Sequence, residues 1–242
     1  MAIRPQPMCF VRTQTTPAPL FRWKSSRLRG WEIRIRDPWP DAENPGPDRA
    51  LPLLDAQIAK FERLVPRPAA RALRDTKLWL SPAYPGVRPT AEYHPGADWL
   101  IENRRDPAMV KGVEFTDVPM LAVEVQRMPV LLLHELAHAW HDRVLGFDHP
   151  EIRAAWERSK SSGRLDRVER RLVGRDDRPV ERHYGLTNPQ EFFAEMSEAW
   201  FDTNDFFPYN RRELVQTDPE TARLIERMWN VDPGSARPGR QR

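Results

Sequence analysis

The chain has 242 residues, with Lys+Arg 38 against Asp+Glu 35, 40% hydrophobic and 30% charged residues, and a single cysteine. That length supports one generous domain or two small ones, and a lone thiol at Cys9 excludes an internal disulfide and any cysteine-ligated zinc or iron–sulfur site within the chain. No apolar run nears the roughly 18 residues of a membrane helix, and the net charge of +3 hides six basic side chains and no acid in residues 1–31, leaving a body at −3; a soluble protein with neither a nucleic-acid nor a membrane partner is expected.

Residues 1–28 mix Pro, Thr, Ser and Arg without apolar periodicity and read as a disordered basic extension. They lack the apolar segment of a secretory signal, so the cytosol is the expected compartment. Order is expected over 29–231, with a Pro/Gly/Arg-rich flexible tail at 232–242. Trp31, Ile33 and Ile35 alternate with charged residues, as in a half-buried strand. Leu51, Leu54, Ile58, Phe61 and Val65 share one helical face, with Pro52 in the permissive first turn and Pro66 as the stop. Short strands are expected at 77–80 and 112–118, the second with Val113 and Phe115 inward and Glu114 and Thr116 outward. Beyond residue 128 the pattern is helical. Pro129 opens a helix closed by Gly146, and Asp148–Glu151, Asn188–Glu191 and Thr217–Glu220 have the spacing of helix-entry capping boxes. A small mixed sheet followed by packed helices is an α+β arrangement.

The informative segment is His134-Glu-Leu-Ala-His138 on the helix after Pro129. Side chains at i and i+4 lie about 6 Å apart along the axis on one face, so His134 and His138 can converge on one zinc ion. Glu135 points off that direction, where it can act as general base toward a metal-activated water. The four preceding apolar residues mark a core helix, beside which so many ionisable groups are costly unless coordinated or paired. His141 lies about 10 Å along the axis from His134, too far to share one tetrahedral ion, and is read as a neighbour or surface residue.

The third ligand is expected on the helix after Asn188, where Glu191, Glu195 and Glu198 form a stripe at i, i+4 and i+7. One glutamate can bind the ion while another, one turn on, accepts the N–H of a ligand histidine. Spacing alone does not separate Glu191 from Glu195, and an ordinary solvated acidic face has the same pattern. Glu92–Trp99 is a candidate wall beside the active helix, with His94 read as structural. The aromatic stretch Asn204–Tyr209 is read as core packing that can also wall a pocket.

His134–His138 together with Tyr184-Gly-Leu-Thr-Asn-Pro-Gln-Glu-Phe-Phe-Ala-Glu195 resembles the glutamate-ligand (gluzincin) branch of the zincin metallopeptidases, in particular the catalytic domain of anthrax lethal factor and the bacterial Pro-Pro endopeptidases. The resemblance covers about residues 77–210 loosely and departs at Pro189 and Gln190. It implies a zincin-like fold, one catalytic zinc held by His134, His138 and Glu191, Glu195 just behind the ligands, and Tyr184 as the phenol facing the metal. His183 is the alternative to Tyr184. The implied activity is a zinc-dependent endopeptidase acting on peptide or protein substrates. The rival expectation is a zinc-stabilised interaction or scaffolding protein that keeps the fold without turnover.

Overall fold

The computed structural model describes residues 21–39, 46–88, 90–172, 174 and 176–231; the tail at 232–242 and residues 1–20 of the expected extension lie outside the described residues. Trp31, Ile33 and Ile35 do alternate inward along a strand, β2 (Trp31–Arg36), which pairs antiparallel with β1 (Trp23–Leu28). The two are joined by Arg29 and Gly30 at φ 50° and 86°, the pair of positive φ values that a two-residue hairpin requires. Strand β1 falls inside the stretch expected to be an extension, which is thereby corrected. Its four central residues, Lys24 to Arg27, are polar, so it shows no alternation to read, and it gains its place through Trp23, whose ring meets Trp79 edge-on at 4.8 Å.

Helix α1 (Pro47–Leu64) buries Leu54, Ile58 and Phe61 as expected but starts earlier, which puts Pro52 inside the helix rather than in its first turn. Helix α2 (Arg67–Leu73) then leads to β3 (Leu78–Leu80), parallel to β2. Strand β4 (Ala91–Tyr93), the short helix α3 (Ala97–Glu102) and β5 (Val113–Phe115) complete a mixed sheet of order β1-β2-β3-β5-β4, with β5 parallel to β3 and antiparallel to β4. Because β5 is internal and covered on both sides, the expected outward position of Glu114 is corrected: it is fully buried. Its carboxylate accepts from Ser81 at 2.5 Å, Tyr84 Oη at 2.8 Å and Arg105 at 3.2 Å, with His94 Nε2 at 3.1 Å. His94 is therefore structural, and its ring stacks on Trp99 at 5.5 Å.

The helical half begins with α4 (Leu121–Arg127) and α5 (Leu131–Trp140), continues through a π turn at His141–Leu145 to Gly146, and then enters α6 (Pro150–Ser162). A small hairpin of β6 (Val168–Glu169) and β7 (Val180–Glu181) precedes α7 (Pro189–Phe201), α8 (Arg211–Thr217) and α9 (Pro219–Trp229). Proline at the first helical position makes the preceding residue the cap. Asn188 accordingly accepts from the Glu191 amide as expected, whereas the other two boxes shift by one residue: Asp218 caps α9, and His149 precedes α6 without a side-chain cap while Asp148 pairs with Arg153.

Helix α5 is buried almost all round, consistent with its unbroken apolar start. It packs against β4 on one side and α7 on another, while α1 lies over its entrance. Its first amides have no side-chain cap from Val130. Gln57 of α1 supplies one, accepting from Leu132 N at 3.3 Å and donating to Pro129 O at 3.1 Å. At the other end Trp140 stacks on Trp229 of α9 at 5.5 Å and 3°, and Trp229 donates to Ser197 of α7. These contacts fix the rotation of α5 against α7, on which the site depends.

Candidate metal centre

Residues four apart on α5 share a face, and that face meets α7. His134 Nε2 lies 3.2 Å and His138 Nε2 3.5 Å from the same oxygen, Glu191 Oε2. Glu191 sits in the first turn of α7, where its amide is held by Asn188 and a negative charge is favoured by the helix dipole. Its carboxylate goes to the two imidazoles, so only one half of the expected capping box forms. His134, His138 and Glu191 offer donor atoms within 4.8 Å of one another, a set that could hold a metal ion.

The other nitrogen of His134 is equally constrained. Nδ1 donates to Glu198 Oε1 at 2.5 Å, whereas Glu195 Oε1 stands at 4.0 Å. The partner of His134 that was expected to be Glu195 is thus Glu198, two turns along α7 from Glu191. An advance of seven residues returns a helix to nearly the same face, and the crossing of α5 over α7 decides which of the aligned carboxylates meets the ring. The solvated-face reading of the stripe is also corrected, since Glu195 and Glu198 are 2% and 1% exposed. Glu195 Oε2 approaches His183 Nδ1 at 3.8 Å.

Glu135 leaves α5 toward β4, away from the ligand face, and its Oε2 accepts from the Tyr93 amide at 2.8 Å. Burial pushes its carboxyl up to about 8, with His134 pulling down and Glu191 pushing up. Burial would lower His134, but Glu191 and Glu198 more than offset it and hold the ring well above its usual value. His138, by contrast, is lowered, chiefly by burial. Glu191 is opposed by burial but drawn below the usual carboxylate range by both histidines. In the metal-free molecule the charge is therefore concentrated on His134 and Glu191.

Tyr184 opens a tight turn, Tyr184–Leu186, that His183 stabilises by accepting from Gly185 N at 3.0 Å. A side chain at Gly185 would stand 3.1 Å from His183 Nδ1 and 3.2 Å from the Phe192 backbone, so glycine lets this turn lie against α7. Tyr184 is 48% exposed, and its phenol is raised by partial burial and then by Glu191. His183 itself is buried and serves the turn. Of the two places expected for His141, neighbour or surface, the surface one is excluded: it is fully buried, enclosed by Phe147 and Phe193 at 5.2 and 5.1 Å, and lies outside the candidate ligand set.

A cleft of about 340 Å³ opens in front of these groups, bounded by Ala91, Arg127, His134, Glu135, Tyr184 and Phe206. Phe206 makes the aromatic stretch after α7 both core and wall. Thr90 and His94 direct their backbone bonds to β5, which leaves those of Ala91 and Tyr93 on the outer edge of β4. The edge strand and the roles of Glu198, Arg127 and Ala91 were not legible in sequence; only the i+7 spacing of Glu198 hinted at a place on the site face. Comparisons with protein-family models, curated proteins and solved structures gave no match to this chain.

Proposed function

We propose that the protein is a zinc-dependent endopeptidase with a zincin-like fold of the glutamate-ligand branch. The observation that carries this reading is the convergence of His134 Nε2 and His138 Nε2 on Glu191 Oε2, with a carboxylate outside the ligand set facing the same cleft. A tetrahedral zinc ion with bonds of about 2.0–2.1 Å holds its donors about 3.3 Å apart, against 3.2 and 3.5 Å here. Two imidazoles and one carboxylate leave a fourth position for solvent or substrate, which a purely structural site does not need.

When bound, zinc supplies a Lewis acid that acidifies water and polarises a carbonyl. His134 is kept in the Nδ1–H tautomer by Glu198, presenting its Nε2 lone pair to the ion. Glu135, outside the ligand set and facing the cleft, would take a proton from the attacking water and deliver it to the departing amine. Tyr184 donates a hydrogen bond to the oxygen that gains charge as the carbonyl is attacked. The outward amide and carbonyl of Ala91 give an extended substrate a strand edge to join.

The test is metal analysis of purified protein followed by digestion of a peptide library by wild type and Glu135→Gln. Bound zinc in both, with cleavage lost only in the variant, is the expected result. Zinc without any cleavage by the wild type would favour the scaffolding alternative.

A further inference from the structure

Strand β4 places Glu92 directly opposite Glu114 of β5. Like charges across a sheet repel, and the nearby cations are committed to one side: His94 and Arg105 both bond Glu114, as do Ser81 and Tyr84. Among the described residues the Glu92 side chain has no hydrogen bond or ion pair, its Oε2 is buried without a partner, and His94 and Arg105 act on it only through space. Burial accordingly pushes its carboxyl up. Glu92 also lines a pocket with Tyr93, His94, Pro95, Gly96 and Trp99. Trp99 is 44% exposed, with one face of its indole stacked on His94.

A partnerless carboxylate and an accessible indole in one pocket make a receptor for a cation that is flat and stacks. Position links this pocket to the cleft. Glu92 lies between Ala91, which bounds the cleft, and Tyr93, whose amide holds Glu135. At about 3.4 Å per residue of extended chain, Ala91 and Tyr93 lie about 7 Å apart, which an extended substrate also covers in two residues, with Glu92 at the middle position. We infer that Glu92 and Trp99 form a specificity subsite for an arginine side chain of the peptide substrate, within about two residues of the bond that is cut. This rests on the reading of the cleft as peptide-binding, and arginine is favoured over lysine because guanidinium stacks on indole and presents a planar fork to a carboxylate.

The subsite is tested by binding, independently of turnover. Zinc-loaded Glu135→Gln protein is titrated with fluorescein-labelled alanine octapeptides in which one arginine is moved along the chain, each against the same peptide carrying citrulline, the neutral isostere. At one or two adjacent positions arginine is expected to bind about tenfold tighter than citrulline. Adding Glu92→Gln, which removes a like charge and should leave the melting temperature equal or higher, is expected to bring that ratio to about one, and Trp99→Leu to reduce it severalfold. No arginine preference at any position, no peptide binding at all, or a preference that survives Glu92→Gln would overturn the subsite. Arginine peptides that bind through Glu92 yet are left intact by zinc-loaded wild type would instead overturn the endopeptidase reading and leave the subsite standing.

Discussion

Replacing Glu198 by alanine should weaken the proposed metal site although Glu198 lies outside the proposed ligand set. Its Oε1 receives the Nδ1–H of His134 at 2.5 Å inside a buried cluster, so it fixes both the ring orientation and the tautomer that frees Nε2. Loss of such a partner lowers metal affinity about 10- to 100-fold, or about 1.4–2.7 kcal/mol. Glu195→Ala is the matched control, being equally buried and on the same helix. At 4.0 Å its carboxylate is beyond hydrogen-bond reach of His134. Burial and the adjacent Glu198 push its carboxyl well up, which disfavours the charged form beside the ring. Its removal should change affinity less than about threefold. Glu198→Gln, which keeps an acceptor but loses the charge, should fall between the two, and Glu191→Ala, which deletes a ligand, should be the most damaging. Competition for zinc against a chromophoric chelator gives the constants, with thermal melting of each metal-free variant as the check on folding. If Glu195→Ala weakened binding as much as Glu198→Ala while both proteins melted like wild type, the assignment of Glu198 would be wrong.

Two further outcomes follow from the same geometry. Tyr184→Phe should lower kcat about 100-fold, as loss of one oxyanion donor commonly does, with KM and zinc content close to wild type; an unchanged kcat would remove the phenol from the reaction. The second concerns acid. Burial lowers both His141 and His183 to about 3, from 6.5 for a free ring. Each is neutral when folded and gains a proton on unfolding below pH 6.5, so its contribution is complete above about 6.5 and is lost as the pH falls toward 3. The slope approaches about 1.4 kcal/mol per pH unit for each ring. Urea midpoints of the metal-free protein between pH 7.5 and 4.5 should therefore fall more steeply for wild type than for His141→Phe, and parallel curves would refute it.

The convergence of His134, His138 and Glu191 was legible because helical spacing is a local property. His134 and His138 share a face through 3.6-residue periodicity alone, and Glu191 stands at the head of its helix because Asn188 and Pro189 fix where that helix starts. The α+β class and the strand at Trp31–Arg36 followed from equally short-range patterns. What failed had its cause elsewhere in the chain. Strand β1 is held by its partner and by Trp79 rather than by its own pattern, and Glu114 alternates as an exposed residue should but lies in a strand covered on both sides.

Sequence by itself thus determined which side chains gather at the candidate site and on which two helices they ride. Tertiary structure alone decided that Glu198 rather than Glu195 meets His134, that β4 offers its edge and Glu92 beside the cleft, and that Gln57, from far earlier in the chain, caps the ligand helix. Periodicity specifies the direction of a side chain about its own axis. The crossing of two helices, and the choice of which strand lies at the edge, are set by packing among Trp140, Phe193 and Trp229 and their neighbours, and no window of local sequence contains those contacts.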